Sequence, residues 1–242
     1  MKNKITIVGI NFWPEDTAIG LYTYQLANFY REQGLEVNVI TGFPYYPEWK
    51  INSEYRSKKT YYEESINGIK IYRFKQYVPK KPIFFKRILH LLHFTLGSFI
   101  NLFKIKKTDV VLCVVPFIGC VLIGKFLAKL KGAKLWVHIQ DFEFDAVRDS
   151  NLVDEKTDKN IIFRILFYVE SKLLNSADLL STISFSMLKK LKGKTKIKIE
   201  KKLLPNWVDQ NFIVPEGHKK HSYLKSDKFK ILYSGNIGEK QD

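Results

Sequence analysis

KITIVGINFWPEDTAIGLYTYQLANFYREQGLEVNVIT, residues 4–41, decides the fold. Lys4 to Ile10 is an apolar, β-branched run and predicts a buried strand. Residues Leu21 to Gln33 place Leu21, Tyr24, Leu26, Ala27 and Tyr30 at helical spacing, and Gly34 is a glycine stop. Glu36 to Thr41 is a second strand. A strand, a covering helix and a strand in succession make a parallel unit, because only a crossover of that length brings the second strand back in the same direction.

Outward from this unit the rhythm repeats. Asn67-Gly68, between YYEESI and IKIYRF, predicts a hairpin turn. Asp109 to Val115 is a strand closed by Pro116, followed by a helix to about Lys131 that Gly132 ends. Lys134 to Gln140 is a strand, Ile161 to Asn175 a helix, Asp178 to Ser184 a strand, and Phe185 to Leu191 a short helix that Ser184 can cap. Lys196 to Leu204 closes the series before Pro205. Near-continuous apolar strands alternating with helices predict an α/β, Rossmann-like, doubly wound and mainly parallel sheet. In such a sheet ligands sit beyond the carboxyl ends of the strands.

The pattern breaks at Asn206. Residues 206–228 have no clean period and read as a linker. Phe229 to Tyr233 then predicts a strand, and Ser234-Gly235-Asn236-Ile237-Gly238 a turn. The tail reads as the truncated start of a second α/β domain (229–242) after a first domain (1–205); the other reading is a last edge strand of the first sheet.

Forty Lys and Arg against 24 Asp and Glu give a net charge of +16. Such an excess suits an anionic partner or a solvated lysine-rich surface. No nucleic-acid-binding motif accompanies it, so no nucleic acid partner is expected. Cys113 and Cys120 lack the spacing of a disulfide framework or a metal site, which fits a reducing compartment. MKNKITIVGI lacks the shape of a signal peptide.

The loops carry the candidate chemistry. Gly20 lies at a helix start, where free N–H groups favour an anion; such a glycine also serves a plain turn. GFPYYPEWK holds Phe43, Tyr45, Tyr46 and Trp49 on a proline-stiffened loop, suited to stacking on a sugar or to packing at the surface. Ile88 to Phe103 is apolar, interrupted by His90 and His93, and flanked by Lys80, Lys81, Lys86, Arg87, Lys104, Lys106 and Lys107. It is short for a membrane span; it reads equally as an interfacial helix with basic ends or as a helix covering the sheet. Asp141, Glu143 and Asp145 cluster after a strand, where carboxylates serve as bases, sugar ligands or caps. His138 reads as a core residue.

Together these motifs, with PNWVD and YSGNIGEKQ in this order, resemble the family 4 retaining glycosyltransferases. The branch that builds colanic acid, O-antigen and capsule is the most similar. The resemblance implies the N-terminal half of a GT-B fold, two Rossmann-like domains facing across a cleft, with PNWVD as hinge. It implies a nucleotide-sugar donor, a lipid-pyrophosphate-linked saccharide acceptor, and a cytoplasmic protein peripheral on the anionic inner membrane. It implies no cofactor and no metal. Gly20 matches the second of the family's paired glycines against the donor phosphate, and Ile19 stands in place of the first. Asp141 matches the family's acidic catalytic residue, preceded here by Gln140 where relatives carry His. Lys240 matches the basic partner of the donor phosphates, and Asn236 stands where Arg is frequent. Tyr45, Tyr46, Trp49, Lys86 and Arg87 are expected on the acceptor and membrane side. The family's downstream pair of glutamates has no counterpart, so this chain alone is expected to be inactive. The alternative is a non-catalytic, membrane-associated acceptor-binding subunit that works with a separate donor-domain chain.

Overall fold

A computed structural model describes residues 3–16, 18–142, 145, 159–208, 225 and 228–233. Its elements are β1 (Lys4–Val8), α1 (Ala18–Glu32), β2 (Glu36–Gly42), a 3-10 turn (Ser53–Tyr55), β3 (Tyr61–Ile66), β4 (Ile69–Phe74), α2 (Phe84–Ser98), a second 3-10 segment (Phe99–Lys104), β5 (Val110–Val115), α3 (Gly119–Lys131), β6 (Lys134–Ile139), α4 (Lys159–Leu174), β7 (Leu179–Thr182), α5 (Phe185–Lys194) and β8 (Glu200–Leu203).

The strands form one eight-stranded sheet in the order β3-β4-β2-β1-β5-β6-β7-β8, parallel throughout except for β3. The chain winds outward from β1 through β2 to β4, then returns to the other side of β1 and winds outward again from β5 to β8. The order therefore reverses between β1 and β5. A crevice opens at such a reversal, because the connections on its two sides leave toward opposite faces.

The central strands are the most apolar. Ile7, Val8, Val39, Ile40, Val111, Leu112 and Cys113 have no exposed surface. Burying each such side chain is worth about 1.5–3 kcal/mol. One face packs Ile5, Ile7, Val39 and Ile71 with Leu26 and Ala27 of α1; the other packs Val8, Ile40 and Val137 with Phe94 of α2 and Ile123 and Leu127 of α3. The hairpin at Asn67-Gly68 forms as expected. Both residues take positive φ, 50° and 80°, as a two-residue connection between twisted antiparallel strands requires.

Three expectations need correction. The apolar stretch 88–103 is not one helix: α2 begins at Phe84, and the chain tightens to 3-10 form at Phe99. There Asn101 Nδ2 donates to the Tyr72 carbonyl and draws the turn onto β4. The strand expected over 196–204 shrinks to Glu200–Leu203, since β8 borders only β7. Residues 229–233 form no strand, and Phe229, Ile231 and Leu232 lie open to solvent.

Candidate functional site

The reversal point is built by four segments. After β1 the chain passes Asn11 and Trp13 to Glu15, a buried carboxylate. Glu15 Oε1 accepts hydrogen bonds from the Tyr45 and Tyr46 backbone N–H groups at 2.8 and 2.9 Å, and Oε2 accepts from Asn11 Nδ2 at 2.9 Å. Burial raises its pKa, against these bonds and the charge of Arg73. Glu15 thus ties the loop after β1 to the loop after β2. Gln76 fixes the second loop from below: its amide donates to the Phe43 carbonyl and accepts from the Phe43 N–H, as a neighbouring strand would.

Arg73 is fully buried beside them. It pairs with Glu64, donates to the carbonyls of Gly42 and Trp13, and lies 5.0 Å from the Tyr55 ring centroid. One guanidinium therefore joins β3, β4, the end of β2 and the loop after β1. The peptide bonds Trp13-Pro14 and Tyr46-Pro47 are cis.

Above this support lies a cavity of about 200 Å³. Ile10 and Asn11 enter it from the β1 end, Pro116 and Phe117 from the β5 end, Ile19 and Gly20 from the first turn of α1, and Tyr45, Tyr46 and Trp49 from the loop after β2. Arg87, His90 and Leu91 of α2 close it. Gly20 is required by close approach: a Cβ there would stand 2.8 Å from both the Glu15 Cβ and the Glu15 carbonyl oxygen. Trp49 has φ of 51°, a left-handed backbone that a bulky residue rarely adopts. That geometry stands the indole edge-on to Tyr45 and His90, with the Arg87 guanidinium 5.1 Å from its ring centroid.

Of the residues expected from sequence, Gly20, Tyr45, Tyr46, Trp49 and Arg87 meet in this one cavity. Phe43 and Tyr45 are buried, so half of the aromatic loop is packing, while Tyr46 remains exposed. Lys86 points from the exposed side of α2 and does not line the cavity. Asp141 is exposed at the end of β6, where its carboxylate accepts from the Phe142 N–H at 2.7 Å; it too stands apart from the cavity. Glu143 and Lys240 lie outside the described residues. Asp145 turns to Lys190 and Lys194 at 2.8 and 2.6 Å. Lys194 also reaches Glu170 at 2.5 Å. Burial raises the Asp145 carboxyl, but the two lysines outweigh it and hold its pKa below the usual range; burial dominates at Glu170 and raises it. This ionic cluster joins α4, α5 and the loop after β6.

A second polar construction ties the sheet to the segment after β8. Trp136 Nε1 donates to Ser181 Oγ at 2.7 Å, His138 Nδ1 contacts the same oxygen at 2.9 Å, and Gln140 Nε2 donates to His138 Nε2 and to Asn206 Oδ1, each at 2.9 Å. His138 is buried and its pKa is depressed to about 4 by desolvation. Next in the chain, Trp207 Nε1 donates to Gln25 Oε1 at 2.8 Å and its ring meets Tyr22 edge-on. The start of PNWVD is thereby fastened to both β6 and α1.

Among the described residues no helix is long and apolar enough to cross a membrane, and no group of three His, Cys, Asp or Glu side chains could hold a metal ion.

No protein-family model matches the chain. A protein of Escherichia coli (strain K12) named colanic acid biosynthesis glycosyl transferase WcaI is 36% identical over 249 residues, which cover 98% of this chain and 60% of the relative. The chain thus spans 60% of that relative's length. Among solved structures, sucrose-phosphate synthase from Thermosynechococcus elongatus superposes with a TM-score of 0.61 at 14% identity over 89% of this chain and 51% of that one. The catalytic domain of starch synthase IV from Arabidopsis thaliana, bound to ADP and acarbose, gives 0.54 at 12% identity over 87% and 52%. The fold is that of one half of a GT-B glycosyltransferase.

Several supports of this GT-B half escaped the sequence. Glu15, Arg73 and Gln76 are single polar residues, and each has a partner 30 or more positions away. A charged residue written inside the strand IKIYRF was the one available signal for Arg73. His90 had a weaker one, a polar interruption of an apolar run.

Proposed function

We propose that this chain is the acceptor-binding lobe of a glycosyltransferase of surface polysaccharide biosynthesis. The enzyme moves a sugar from a nucleotide-sugar donor to a lipid-pyrophosphate-linked saccharide and keeps its anomeric configuration. The observation that carries this reading is the cavity at the strand-order reversal, where the first turn of α1 faces an aromatic wall. The 36% identity to the colanic acid glycosyl transferase supports the same class of reaction. Structures of HepE from Anabaena are solved with UDP and glucose, and the starch synthase with ADP; a nucleoside diphosphate sugar as donor is in keeping with both.

In this reading the lobe comprises residues 1–205, residues 206–228 form the hinge, and residues 229–242 begin the donor lobe. The N–H groups at the first turn of α1, with Gly20 admitting close approach, and Lys240 stabilise the leaving diphosphate. Asp141 stands at the mouth of the cleft as the acidic residue of the reaction. Tyr46, Trp49 and Arg87 receive the acceptor. No metal takes part.

The outer face of α2 supports peripheral attachment to the cytoplasmic side of an anionic membrane. Phe85, Leu89, Leu92 and Leu96 recur at helical spacing and are 52–73% exposed, and Ile100 and Phe103 continue the stripe. Lys86 and Arg87 are exposed beside it. An apolar stripe with basic neighbours lies flat in an interface, and each cation near an anionic surface adds about 1 kcal/mol.

The test is transfer of radiolabel from UDP- and GDP-linked sugars into the lipid fraction of bacterial membranes. The chain is assayed alone and coexpressed with a chain carrying a GT-B donor lobe. We expect transfer from the pair and none from the chain alone. Absence of transfer from every pair overturns the reading, and transfer by the chain alone overturns its dependence on a second lobe.

A further inference from the structure

A second cavity, of about 390 Å³, opens beside the first and shares Tyr45 and Tyr46 with it. It lies between the loop after β1 and the loop after β2. Its backbone is a closed frame. The Lys50 N–H donates to the Tyr45 carbonyl at 3.1 Å and the Asn52 N–H to the Pro44 carbonyl at 2.9 Å, so the loop after β2 folds back on itself. Glu15 fastens the same loop through the Tyr45 and Tyr46 N–H groups. Pro14, Pro44 and Pro47 line the space, each with its φ set by its own ring. A ligand that enters meets a backbone already ordered, which lowers the entropy cost of binding.

The polar side chains around that frame are idle. Asp16, Glu48, Lys50, Asn52 and Arg56 line the cavity and are exposed, so a ligand reaches them directly. Among the described residues the side chains of Asp16, Glu48 and Lys50 have no hydrogen-bond or ion-pair partner. Asn52 Oδ1 accepts from the Glu54 N–H at 3.1 Å, which leaves the two amide donors of Asn52. Arg56 commits its Nε to the Ile51 carbonyl at 3.1 Å and keeps its terminal N–H groups.

The charges define the class of ligand. Asp16 and Glu48 stand against Lys50 and Arg56, so no field of one sign selects an anion or a cation. Such a set suits a neutral molecule that offers donors and acceptors in several directions. The Tyr46 ring, 40% exposed where the two cavities meet, adds a flat apolar surface. The volume falls within the roughly 300–1,000 Å³ of small-molecule pockets. A sugar ring, with hydroxyls at its rim and an apolar face, matches both the idle polar groups and the tyrosine.

We propose that this second cavity is a saccharide subsite for the penultimate sugar of the acceptor. Its ring packs on Tyr46, and its hydroxyls bond Asp16, Glu48, Lys50, Asn52 and Arg56. The acceptor is thereby read over two residues, the terminal sugar in the cavity at the strand-order reversal and its neighbour in this one. This rests on the glycosyltransferase reading for the role of the saccharide as acceptor, and on the cavity alone for its binding.

The test uses the full chain with methyl glucopyranoside, methyl galactopyranoside, cellobiose, laminaribiose, maltose and lactose as probes. Saturation-transfer NMR should show both rings of at least one disaccharide against the protein. That disaccharide should bind roughly tenfold tighter than either methyl glycoside, a gain of about 1.4 kcal/mol. Glu48→Ala and Lys50→Ala should each narrow the gap. Neither side chain has a partner to lose, so the melting temperature should hold. Arg56→Ala is the further variant if either of them perturbs the loop. Disaccharides that fail to bind, or bind no tighter than the methyl glycosides, overturn the proposal, as does a preference that survives all three substitutions. In the coexpressed pair, transfer to monosaccharide and disaccharide acceptors with equal KM would sink this inference and leave the glycosyltransferase reading standing. Binding through both rings without transfer from any donor would do the reverse.

Discussion

Gln140 and Asn206 are joined side chain to side chain at 2.9 Å across 66 positions of sequence. The bond carries the last turn of the sheet's polar chain out to the segment that leaves the lobe. Asn206→Ala removes the acceptor, and Gln25→Ala removes the partner of Trp207. Each lost bond is worth about 1 kcal/mol, hence roughly fivefold faster amide exchange over residues 206–208. Exchange by mass spectrometry should show this locally, with β6 and β7 unchanged. Equal protection in both variants would mean that the segment is held by something else.

His138 gives the lobe a pH dependence of known sign. Its pKa is about 4 in the folded chain against 6.5 in an open one. Neutral in both states above pH 6.5, it costs nothing there; below, the unfolded chain takes the proton first. Stability is therefore complete above pH 6.5 and falls by about 3 kcal/mol as the pH drops to 4. His90, also depressed by burial, pushes the same way. Thermal melts between pH 7 and pH 4 should show the decline, and His138→Gln should flatten part of it. A variant with the full slope would contradict the assignment.

The Glu15 carboxylate and Gly20 occupy adjoining space, so neither can change alone. Gly20→Ala drives a methyl group into Glu15 and should cost about 1–3 kcal/mol through displacement of the loop. Glu15→Ala leaves two backbone N–H groups without their acceptor and should cost more than Glu15→Gln, whose amide oxygen still accepts. Urea melts rank the three.

Lys194→Met should destabilise the protein by about 3 kcal/mol, because it leaves buried carboxylates beside an apolar side chain. Lys194 stands between Asp145 and Glu170, both nearly buried. Lys190 remains on Asp145, so Lys194→Met combined with Glu170→Gln should recover part of the loss.

If α2 lies in a membrane interface, Leu89→Glu with Leu96→Glu should abolish cosedimentation with vesicles containing phosphatidylglycerol. Both positions are more than half exposed, so folding should be untouched. Wild-type binding should weaken with added salt. Equal cosedimentation of variant and wild type would remove α2 from the contact.

The sequence carried the fold because the parallel strands declare themselves by composition. VVLCVV is buried on both faces, as is KLWVHI from Val137 onward, and glycine marks the helix ends beside them. It carried part of the site because Gly20, the aromatic loop and Arg87 lie in segments that the doubly wound topology places at the same strand ends. It could not show that Asp145 belongs to α5 and not to Asp141, since the decision rests with Lys190 and Lys194, far along the chain. Nor could it show the ties of Glu15, Arg73 and Gln76. Each is one polar letter whose meaning depends on a tertiary neighbour.

The exposed apolar side chains of the segment 229–233 have a practical consequence. Phe229 and Ile231 are about nine-tenths exposed and Leu232 more than three-quarters, in a run with high β propensity. Such a run is adhesive toward any free sheet edge, its own copies included. The purified chain should gather into soluble aggregates as its concentration rises, and a lysine at Ile231 should keep it dispersed.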